Sequence, residues 1–322
     1  MQSEGNMNIT QREFNTIKSF VVDRSEAELI MFICENFNKW IKDQPEDLAQ
    51  YILGFYKRFH FWGEFDPAKG EIDMIEQRAK ILKKRWSEIE YFFNSLSDYR
   101  SKDVLVMILE NWLSFYYGRI EKVKEHNFKS YFDLDLITVS QEEVFVDLGA
   151  WKGDTLDEYI HTYGMDNYKK IYCYEIVKSN VDILKEKCKR DKRVIIRPVA
   201  VSDKNGIMYI DDNGTSDAQS ISDRGTKEIE TVTLDEDIQE IITFLKMDIE
   251  GAEKSAILGA KKHIKEDHPK LAISVYHSND DLIDIFNLIR EIQPNYKFYL
   301  RYNGLPYFPT DYILIAIPSK IS

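Results

Sequence analysis

The sequence predicts an α/β fold whose mostly parallel sheet ends in an antiparallel hairpin, preceded by an all-helical N-terminal domain. From about residue 25 to about residue 125, apolar residues recur at the three- and four-residue steps of amphipathic helices. From Val144 onward, short apolar runs alternate with amphipathic stretches, which is typical of parallel strands with helices on both faces of the sheet. The last two runs, Tyr296 to Arg301 and Asp311 to Ile317, are joined by a short Gly-Pro connection and should pair antiparallel. We therefore expect a helical domain at residues 1–135 and a second domain at residues 136–322.

Four helices are predicted in the N-terminal domain. The first follows Ser25, which forms a capping box with Glu28, and the second has Pro45 in its first turn and runs to Phe59. The third runs from roughly Glu71 to Phe93, and the fourth from Ser101 to Val123. Aromatic residues are dense here and either line an acceptor pocket or fill the core. We favour the core, because buried aromatic residues are mostly core residues.

The second domain alternates strands and helices. The predicted strands are Val144 to Leu148, Lys170 to Tyr174, Arg193 to Arg197, Thr243 to Asp248 and Leu271 to Tyr276. The predicted helices include Ser179 to Lys189, Ala252 to Lys265 and Asp280 to Ile292. Two further short strands, Met208 to Ile210 and Ile229 to Val232, flank a polar loop from Asp211 to Gly225, which is either a lid or a connector.

The composition narrows the class of protein. A formal net charge of -12 and a pI near 5.1 argue against binding nucleic acid or an anionic membrane, and favour a neutral, sugar-like or cationic partner. Cys34, Cys173 and Cys188 are widely spaced and lack metal-ligand spacing, which indicates a reducing, cytoplasmic compartment. Met1 to Thr10 has no apolar signal region, and no apolar run is long enough for a membrane span.

A glycine turn follows the first predicted strand. The stretch from Glu143 to Asp154 runs from β-branched and apolar residues into Asp147, then Gly149 and Gly153, after which a helical pattern begins. Glycine allows a sharp bend and lets a ligand lie against backbone N–H groups at a helix N-terminus. We expect Asp147, at the carboxyl end of a buried strand, to face the ligand.

Two acidic positions at the ends of later strands extend this pattern. Glu175 ends the next strand and lies 22 residues beyond Gly153, where a carboxylate can accept the two ribose hydroxyls of an adenosine. The block from Lys246 to Glu253 runs from a strand into Gly251 and carries Asp248 and Glu250. Because open α/β sheets hold ligands at the carboxyl ends of their strands, these features together indicate a nucleotide-type cofactor site.

The same motifs resemble those of FkbM-type methyltransferases. The resemblance extends over about Val144 to Ala316 and is most specific in the Lys-x-Asp-x-Glu-Gly-Ala-Glu block at 246–253. It implies the Rossmann-like fold of class I methyltransferases, S-adenosylmethionine (SAM) as cofactor, and O-methylation of a hydroxyl on a sugar or natural product. The predicted antiparallel hairpin at the end of the sheet agrees with that layout.

The resemblance also implies roles for individual residues. Asp147, Gly149, Ala150 and Gly153 would line the methionine and ribose of SAM, Glu175 would hold the ribose, and Val199 and Ala200 would flank the adenine. The chain departs from the pattern at Trp151 and Lys152, where many methyltransferases have a glycine or a small polar residue.

Methyl transfer to a hydroxyl benefits from a general base, and two residues are candidates. Asp248 ends the strand expected beside the first one, and His277 ends the following strand. We expect His277 to act as base or acceptor-binding group and Asp248 to align cofactor and acceptor. His277 could equally be a core or helix-capping residue. A metal bound by Asp248, Glu250 and His277 is conceivable but no tight ligand spacing requires it, so we predict no metal.

The leading hypothesis is therefore a SAM-dependent O-methyltransferase that acts on a saccharide or glycosylated small molecule. One alternative is a non-catalytic SAM- or glycan-binding module whose helical domain mediates assembly, for example as a homo-oligomer. A second is an NAD-dependent oxidoreductase, but that class predicts a Gly-x-Gly-x-x-Gly turn instead of Gly149-x-x-x-Gly153.

Overall fold

A computed structural model describes residues 7–210, 227–304, 307–308 and 310–319. The chain forms two compact units. The helical unit comprises Met1–Glu125 with Tyr276–Ile283 and Tyr299–Tyr312, and the sheet unit comprises His126–Val275 with Asp284–Phe298 and Ile313–Ser322. The helical unit thus includes two late segments of the chain. The domain boundary near residue 135 stays a prediction.

The helical unit contains helices of very different lengths. They are α1 (Ile9–Val22), α2 (Glu26–Lys42), α3 (Glu46–Arg58), α4 (Asp73–Lys84), α5 (Trp86–Ser95), α6 (Tyr99–Ser114) and the short α7 (Ile120–Val123). Two-residue strands β1 (Phe65–Asp66) and β2 (Glu71–Ile72) pair antiparallel before α4. The capping box is confirmed, since the Ser25 side chain accepts the N–H of Glu28 and the Glu28 carboxylate accepts that of Ser25. The expected single helix from Glu71 to Phe93 is wrong: the chain leaves helical geometry at Arg85 (φ -115°, ψ 21°), while the apolar period continues across the break.

The aromatic residues of this unit lie mainly in its core. Phe14 stacks on Phe93 with ring centroids 4.0 Å apart, and Phe37 meets Phe115 edge to face at 4.9 Å. Within this core Arg78 is 0% exposed. Its guanidinium lies 5.4 Å from the Phe115 ring centroid and 5.8 Å from that of Trp112, and its Nε donates to Asn279 Oδ1 at 3.3 Å. Burial lowers the pKa of Arg78, and no carboxylate in the described part of the chain pairs with it.

Late segments of the chain complete the helical unit. Arg301 is buried and bonds Asp98 at 2.9 Å and Ser101 Oγ at 3.0 Å. The Ser101 hydroxyl also accepts the N–H of Leu300 at 2.8 Å.

The sheet unit is built on a seven-stranded sheet of order β11-β12-β10-β9-β3-β4-β5. The strands are β3 (Val144–Leu148), β4 (Lys170–Tyr174), β5 (Val194–Arg197), β9 (Phe244–Met247), β10 (Lys270–Ser274), β11 (Tyr296–Tyr302) and β12 (Tyr312–Pro318). Strands β3, β4, β5, β9 and β10 are parallel, whereas β12 is antiparallel to β10. The predicted parallel sheet is confirmed. The chain order reverses between β3 and β9, which is the switch point where sheets of this kind hold ligands.

Helices alternate with these strands. They are α8 (Asp154–Tyr163), α9 (Lys178–Cys188), α10 (Leu234–Asp237), α11 (Glu253–Gly259), α12 (Lys261–Glu266) and α13 (Asp281–Ile292). The single helix expected from Ala252 to Lys265 is divided at Ala260. There Gly259 lies so close to Ser202 that an added Cβ would be 1.9 Å from the Ser202 carbonyl oxygen.

A second sheet of three strands, order β6-β8-β7, accompanies the first. It consists of β6 (Ala200–Val201), β7 (Gly206–Ile210) and β8 (Lys227–Val232), and β7 pairs antiparallel with β8. The two short strands expected from the sequence are β7 and β8. The polar loop from Asp211 to Gly225 lies outside the described residues. Across the described ranges, every helix is too short or too polar to cross a membrane.

Candidate active site

A cavity of about 360 Å³ opens at the carboxyl ends of β3, β4 and β9, within the size range of small-molecule sites. Its walls come from the glycine turn after β3, from the β4–α9 connection, from the turn after β9, and from the second sheet. Among the residues predicted from the sequence, the lining includes Gly149, Glu175, Val199, Ala200 and Asp248. Sequence motifs as far apart as Gly149 and Asp248 therefore meet around one cavity.

Gly149 is required by the protein's own backbone. Its φ is +80°, and an added Cβ would lie 1.9 Å from the carbonyl oxygen of Asp248. Its N–H and that of Ala150 donate to the Tyr174 carbonyl at 3.1 and 3.0 Å, which ties the turn to the end of β4. The turn after β3 and the turn after β9 are thus in direct contact.

Asp147 occupies a different position from the one expected. It is 0% exposed and does not line the cavity; its carboxylate lies 2.9 Å from the ammonium of Lys246, which is its register partner on β9. Lys246 Nζ also donates to the carbonyl of Gly149 at 2.9 Å. Burial opposes both charges and raises the pKa of Asp147, but Asp147 and Asp248 together raise the pKa of Lys246, so the ammonium is retained. The ion pair of Asp147 and Lys246 thus fixes the glycine turn after β3 through the bond to the Gly149 carbonyl.

Ala150 and Gly153 also lie outside the cavity lining. Ala150 is fully buried. Gly153, with φ +80°, begins α8, and its carbonyl accepts a hydrogen bond from Lys187 on α9 at 2.9 Å. By contrast Trp151 lines the cavity and is 39% exposed, while Lys152 stacks its ammonium 4.4 Å from the Trp151 ring centroid.

Glu175 is held rigidly at the end of β4. Its Oε1 accepts the N–H of Val177 at 2.6 Å, and the N–H groups of Ile176 and Trp151 bond the same carboxylate. Burial raises the pKa of Glu175, and these donors act in the opposite direction. The carboxylate is therefore fixed in direction and borders the cavity.

Asn180 was missed by sequence reasoning. It is 1% exposed, lines the cavity, and neither end of its amide has a hydrogen-bond partner among the described residues. Asn180, Leu184 and Lys187 share one face of α9, and the latter two contact Gly153. A buried amide left without partners costs about 1–3 kcal/mol, so a ligand group that both donates and accepts would stabilise it.

The Lys-x-Asp-x-Glu-Gly-Ala-Glu block forms a sharp turn after β9. Glu250 and Gly251 have φ of +57° and +98°. Glu253 is fully buried, and its carboxylate accepts the N–H of Ile249 at 2.8 Å. Glu253 thus closes the turn at the start of α11, whereas Asp248 and Glu250 border the cavity.

Tyr131 is a second residue that sequence reasoning missed. Its hydroxyl donates to Asp248 Oδ2 at 2.8 Å, and its side chain lines the cavity. Tyr131 precedes the first strand of the sheet, outside every motif identified in the sequence.

His277 belongs to the helical unit and is 3% exposed. Its ring lies 4.9 Å from that of Phe61 and 4.1 Å from that of Tyr276, and it does not line the cavity. Asp248 belongs to the sheet unit. The pairing of these two residues in catalysis stays a prediction.

The cavity is electronegative and partly apolar. Four acidic side chains border it, against one basic side chain, Lys246; they are Asp154, Glu175, Asp248 and Glu250. Val199, Ala200 and residues of the second sheet supply an apolar wall. Such a lining favours a ligand with an apolar ring and a net positive charge over a pyrophosphate.

Comparisons with known proteins agree with this geometry. The sequence model of the methyltransferase FkbM domain matches residues 147–299. A similar solved structure is the methyltransferase FkbM from Methylobacillus flagellatus KT, with 25% identity and a TM-score of 0.65, covering 77% of this chain. The present chain spans 63% of that protein. No curated protein matches the sequence.

Two more distant structures have TM-scores of 0.36. One is a putative methyltransferase from Streptococcus mutans in complex with SAH, at 15% identity over 56% of this chain and 90% of that one. The other is fibrillarin from Aeropyrum pernix with natively bound S-adenosyl-L-methionine, at 9% identity over 56% of this chain and 67% of that one. Residues 147–299 thus match the methyltransferase FkbM domain in sequence, and the sheet order and the cavity at its switch point agree with that match.

Proposed function

We propose that the protein is a SAM-dependent methyltransferase that methylates a hydroxyl of a saccharide or glycosylated small molecule. The observation that carries the proposal is the acidic cavity at the β3–β9 switch point, with the fixed Glu175 carboxylate beside an apolar wall. A cationic sulfonium suits the charge of this lining, and an adenosine suits its combination of carboxylate and apolar groups. The buried, unpartnered Asn180 amide supports the presence of a polar ligand.

Each cavity residue then has a task in cofactor binding. Glu175 accepts the ribose hydroxyls, and Asn180 bonds a polar group of the ligand that can both donate and accept. Val199 and Ala200 pack on the adenine, and Gly149 borders the methionine portion. Asp147, Ala150 and Gly153 act indirectly, by fixing the shape of the turn.

When bound, SAM supplies a methyl group activated by a sulfonium, whose departure leaves the neutral thioether SAH. The chain's contribution is orientation, because the acceptor oxygen, methyl carbon and sulfur must be in line. Asp248 aligns the reacting groups, and His277 accepts the hydroxyl proton as the new C–O bond forms. A neutral acceptor such as a saccharide avoids repulsion by a protein of net charge -12. The helical unit contributes acceptor recognition or self-association, which light scattering of the purified protein would distinguish.

Isothermal calorimetry with SAM, SAH and NAD tests the cofactor assignment. We expect SAM and SAH to bind and NAD not to bind. Glu175→Ala should weaken SAM binding by about 1–3 kcal/mol through loss of hydrogen bonds to a carboxylate. Glu186→Ala removes an exposed carboxylate from α9, the helix that follows Glu175, and is the matched control. Equal SAM affinity of Glu175→Ala and the wild type would refute the ribose assignment.

Mass spectrometry of labelled methyl transfer into a cell extract tests the activity and finds the acceptor. SAM binding without transfer into any extract would favour a non-catalytic module. Once an acceptor is known, His277→Ala should lower turnover while SAM affinity is unchanged. An unaltered rate would exclude His277 as the base.

A further inference from the structure

We infer that Tyr131 is a positioning residue that orients the Asp248 carboxylate toward the sulfonium charge, so that the protein prefers SAM over the uncharged product SAH. This inference rests on the proposed function. Tyr131 lies outside the residues matched by the family model, which begins at 147. Three features of Tyr131 support the inference: its backbone conformation, the hydrogen bond of its hydroxyl, and its position in the cavity wall.

The backbone of Tyr131 is held in an unfavourable conformation. Its φ is +70°, which is a genuine outlier for a bulky side chain. The surrounding turn is closed by the hydrogen bond from Phe132 N to the Lys129 carbonyl at 3.0 Å. Strained residues of this kind persist where neighbouring structure fixes them, and they cluster at functional sites.

Phe132 is the anchor that fixes this turn. It is 1% exposed, and its ring lies 5.8 Å from that of Tyr159 and 6.2 Å from those of Phe145 and Phe244. Phe145 and Phe244 belong to β3 and β9, the two strands that flank the switch point. The anchor therefore sets the position of Tyr131 relative to the strand that Asp248 follows.

The side chain of Tyr131 acts on one oxygen of Asp248. Its hydroxyl donates to Oδ2 at 2.8 Å and lies 3.4 Å from Ser274 Oγ. A hydrogen bond from a hydroxyl to a carboxylate is among the stronger kinds and limits rotation of the acceptor. The ring also meets the Lys246 ammonium at 5.1 Å from its centroid. Tyr131 thus restrains the Oδ2 atom of Asp248, a residue that borders the cavity.

Charge gives this arrangement a consequence for binding. SAM and SAH differ by one methyl group and one positive charge. A carboxylate held facing the sulfur attracts the sulfonium of SAM but not the uncharged thioether of SAH. If the carboxylate turned away from the sulfur, this attraction would be weaker. The hydroxyl of Tyr131 should therefore influence the ratio of SAH to SAM dissociation constants more than it influences SAH binding itself.

Calorimetry with SAM and SAH on Tyr131→Phe tests the inference, because the ring is kept and only the hydroxyl is lost. We expect SAH affinity within about twofold of wild type and a fall of about 3- to 10-fold in the preference for SAM. Tyr163→Phe is the matched control: the Tyr163 hydroxyl bonds the Ile137 carbonyl at 3.2 Å and its ring also packs on Phe132, but it does not line the cavity. That control should leave both affinities unchanged.

A double-mutant cycle with Asp248→Asn shows whether Tyr131 acts through Asp248. Asp248→Asn should reduce the preference for SAM at least as much, and adding Tyr131→Phe to it should change little, since coupled residues are not additive. Equal weakening of SAM and SAH by Tyr131→Phe, or additive effects in the double mutant, would overturn the inference. If the wild type binds neither compound, the proposed function itself fails.

Discussion

Each compact unit buries a basic side chain, and the two are treated in opposite ways. In the sheet unit Lys246 is paired with Asp147 at 2.9 Å and bonded to the Gly149 carbonyl. In the helical unit Arg78 lies among aromatic rings, with one hydrogen bond from Nε and no carboxylate partner among the described residues. The difference teaches that burial of charge is not by itself a sign of stabilisation. Lys246 and Asp147 neutralise each other's buried charge. The charge of Arg78 has a desolvation penalty that the neighbouring aromatic rings only partly offset.

Lys246→Met should have the largest effect on stability among the substitutions that test this comparison. It leaves the buried Asp147 carboxylate without its counter-charge, which costs about 3–5 kcal/mol of unfolding free energy. Urea unfolding followed by circular dichroism measures the change. Adding Asp147→Asn should recover a large part of the loss. If Lys246→Met alone were as stable as the wild type, the ion pair of Lys246 with Asp147 would not stabilise the fold.

Two glycines with nearly equal φ extend the comparison to the backbone. Gly149 in the sheet unit has φ +80° and faces the Asp248 carbonyl, whereas Gly70 in the helical unit has φ +82° and open space around it. Gly70→Ala should cost about 1–2 kcal/mol from the backbone conformation alone. Gly149→Ala should cost about 1–3 kcal/mol more, because the added methyl group forces the two turns apart. Equal losses in urea unfolding would contradict the close contact.

The ion pair of Arg193 with Asp191 extends the comparison to charges that are less buried than Lys246 and Asp147. Its guanidinium bonds Asp191 at 2.7 Å, and Asp191 also accepts the hydroxyl of Tyr168 at 2.6 Å. The Arg193 bonds hold the pKa of Asp191 well below its usual range. A lowered folded-state pKa contributes stability that is present above the ordinary value near 3.8 and is lost as pH falls through the folded pKa. Asp191→Asn should therefore remove about 1 kcal/mol at pH 7 and flatten the decline in stability below pH 4. An unchanged acid limb in pH-dependent thermal melts would contradict this.

Arg78→Met should be the one substitution of this series that causes no loss of stability. A methionine of similar length keeps the packing against Trp112 and Phe115 and removes the desolvated charge, so stability should be unchanged or higher by up to about 4 kcal/mol. The same urea experiment measures it. A loss above about 2 kcal/mol would show that the guanidinium is held by its rings and by Asn279 more strongly than the comparison implies.

The sequence was sufficient to predict the parallel sheet and the position of Glu175, because strand periodicity and motif spacing are local signals. It was not sufficient for Asp147, whose partner Lys246 lies on a neighbouring strand in the same register. A lysine within an otherwise apolar strand was the available signal for that pair. Tyr131 and Asp248 are 117 residues apart, and no local pattern relates them. Asn180 could not be identified from the sequence either, because sequence periodicity does not show that a buried amide lacks hydrogen-bond partners.

The helical breaks were missed for a related reason. Apolar residues continue with the same period through Arg85 and through Ala260, although the backbone leaves helical geometry at both. Periodicity reports which face is buried, not whether the axis is continuous.

The bond from Leu300 to the Ser101 hydroxyl, and that from Glu125 N–H to the Tyr302 carbonyl at 2.8 Å, have a consequence for biosynthesis. Translation proceeds at about 5–20 residues per second, so the N-terminal helices wait roughly 10–35 seconds for these partners to be made. During that interval the whole sheet-forming stretch from His126 to Val275 is translated. The helical unit is thus begun before the sheet unit during translation and can be completed only after Tyr302 has been made.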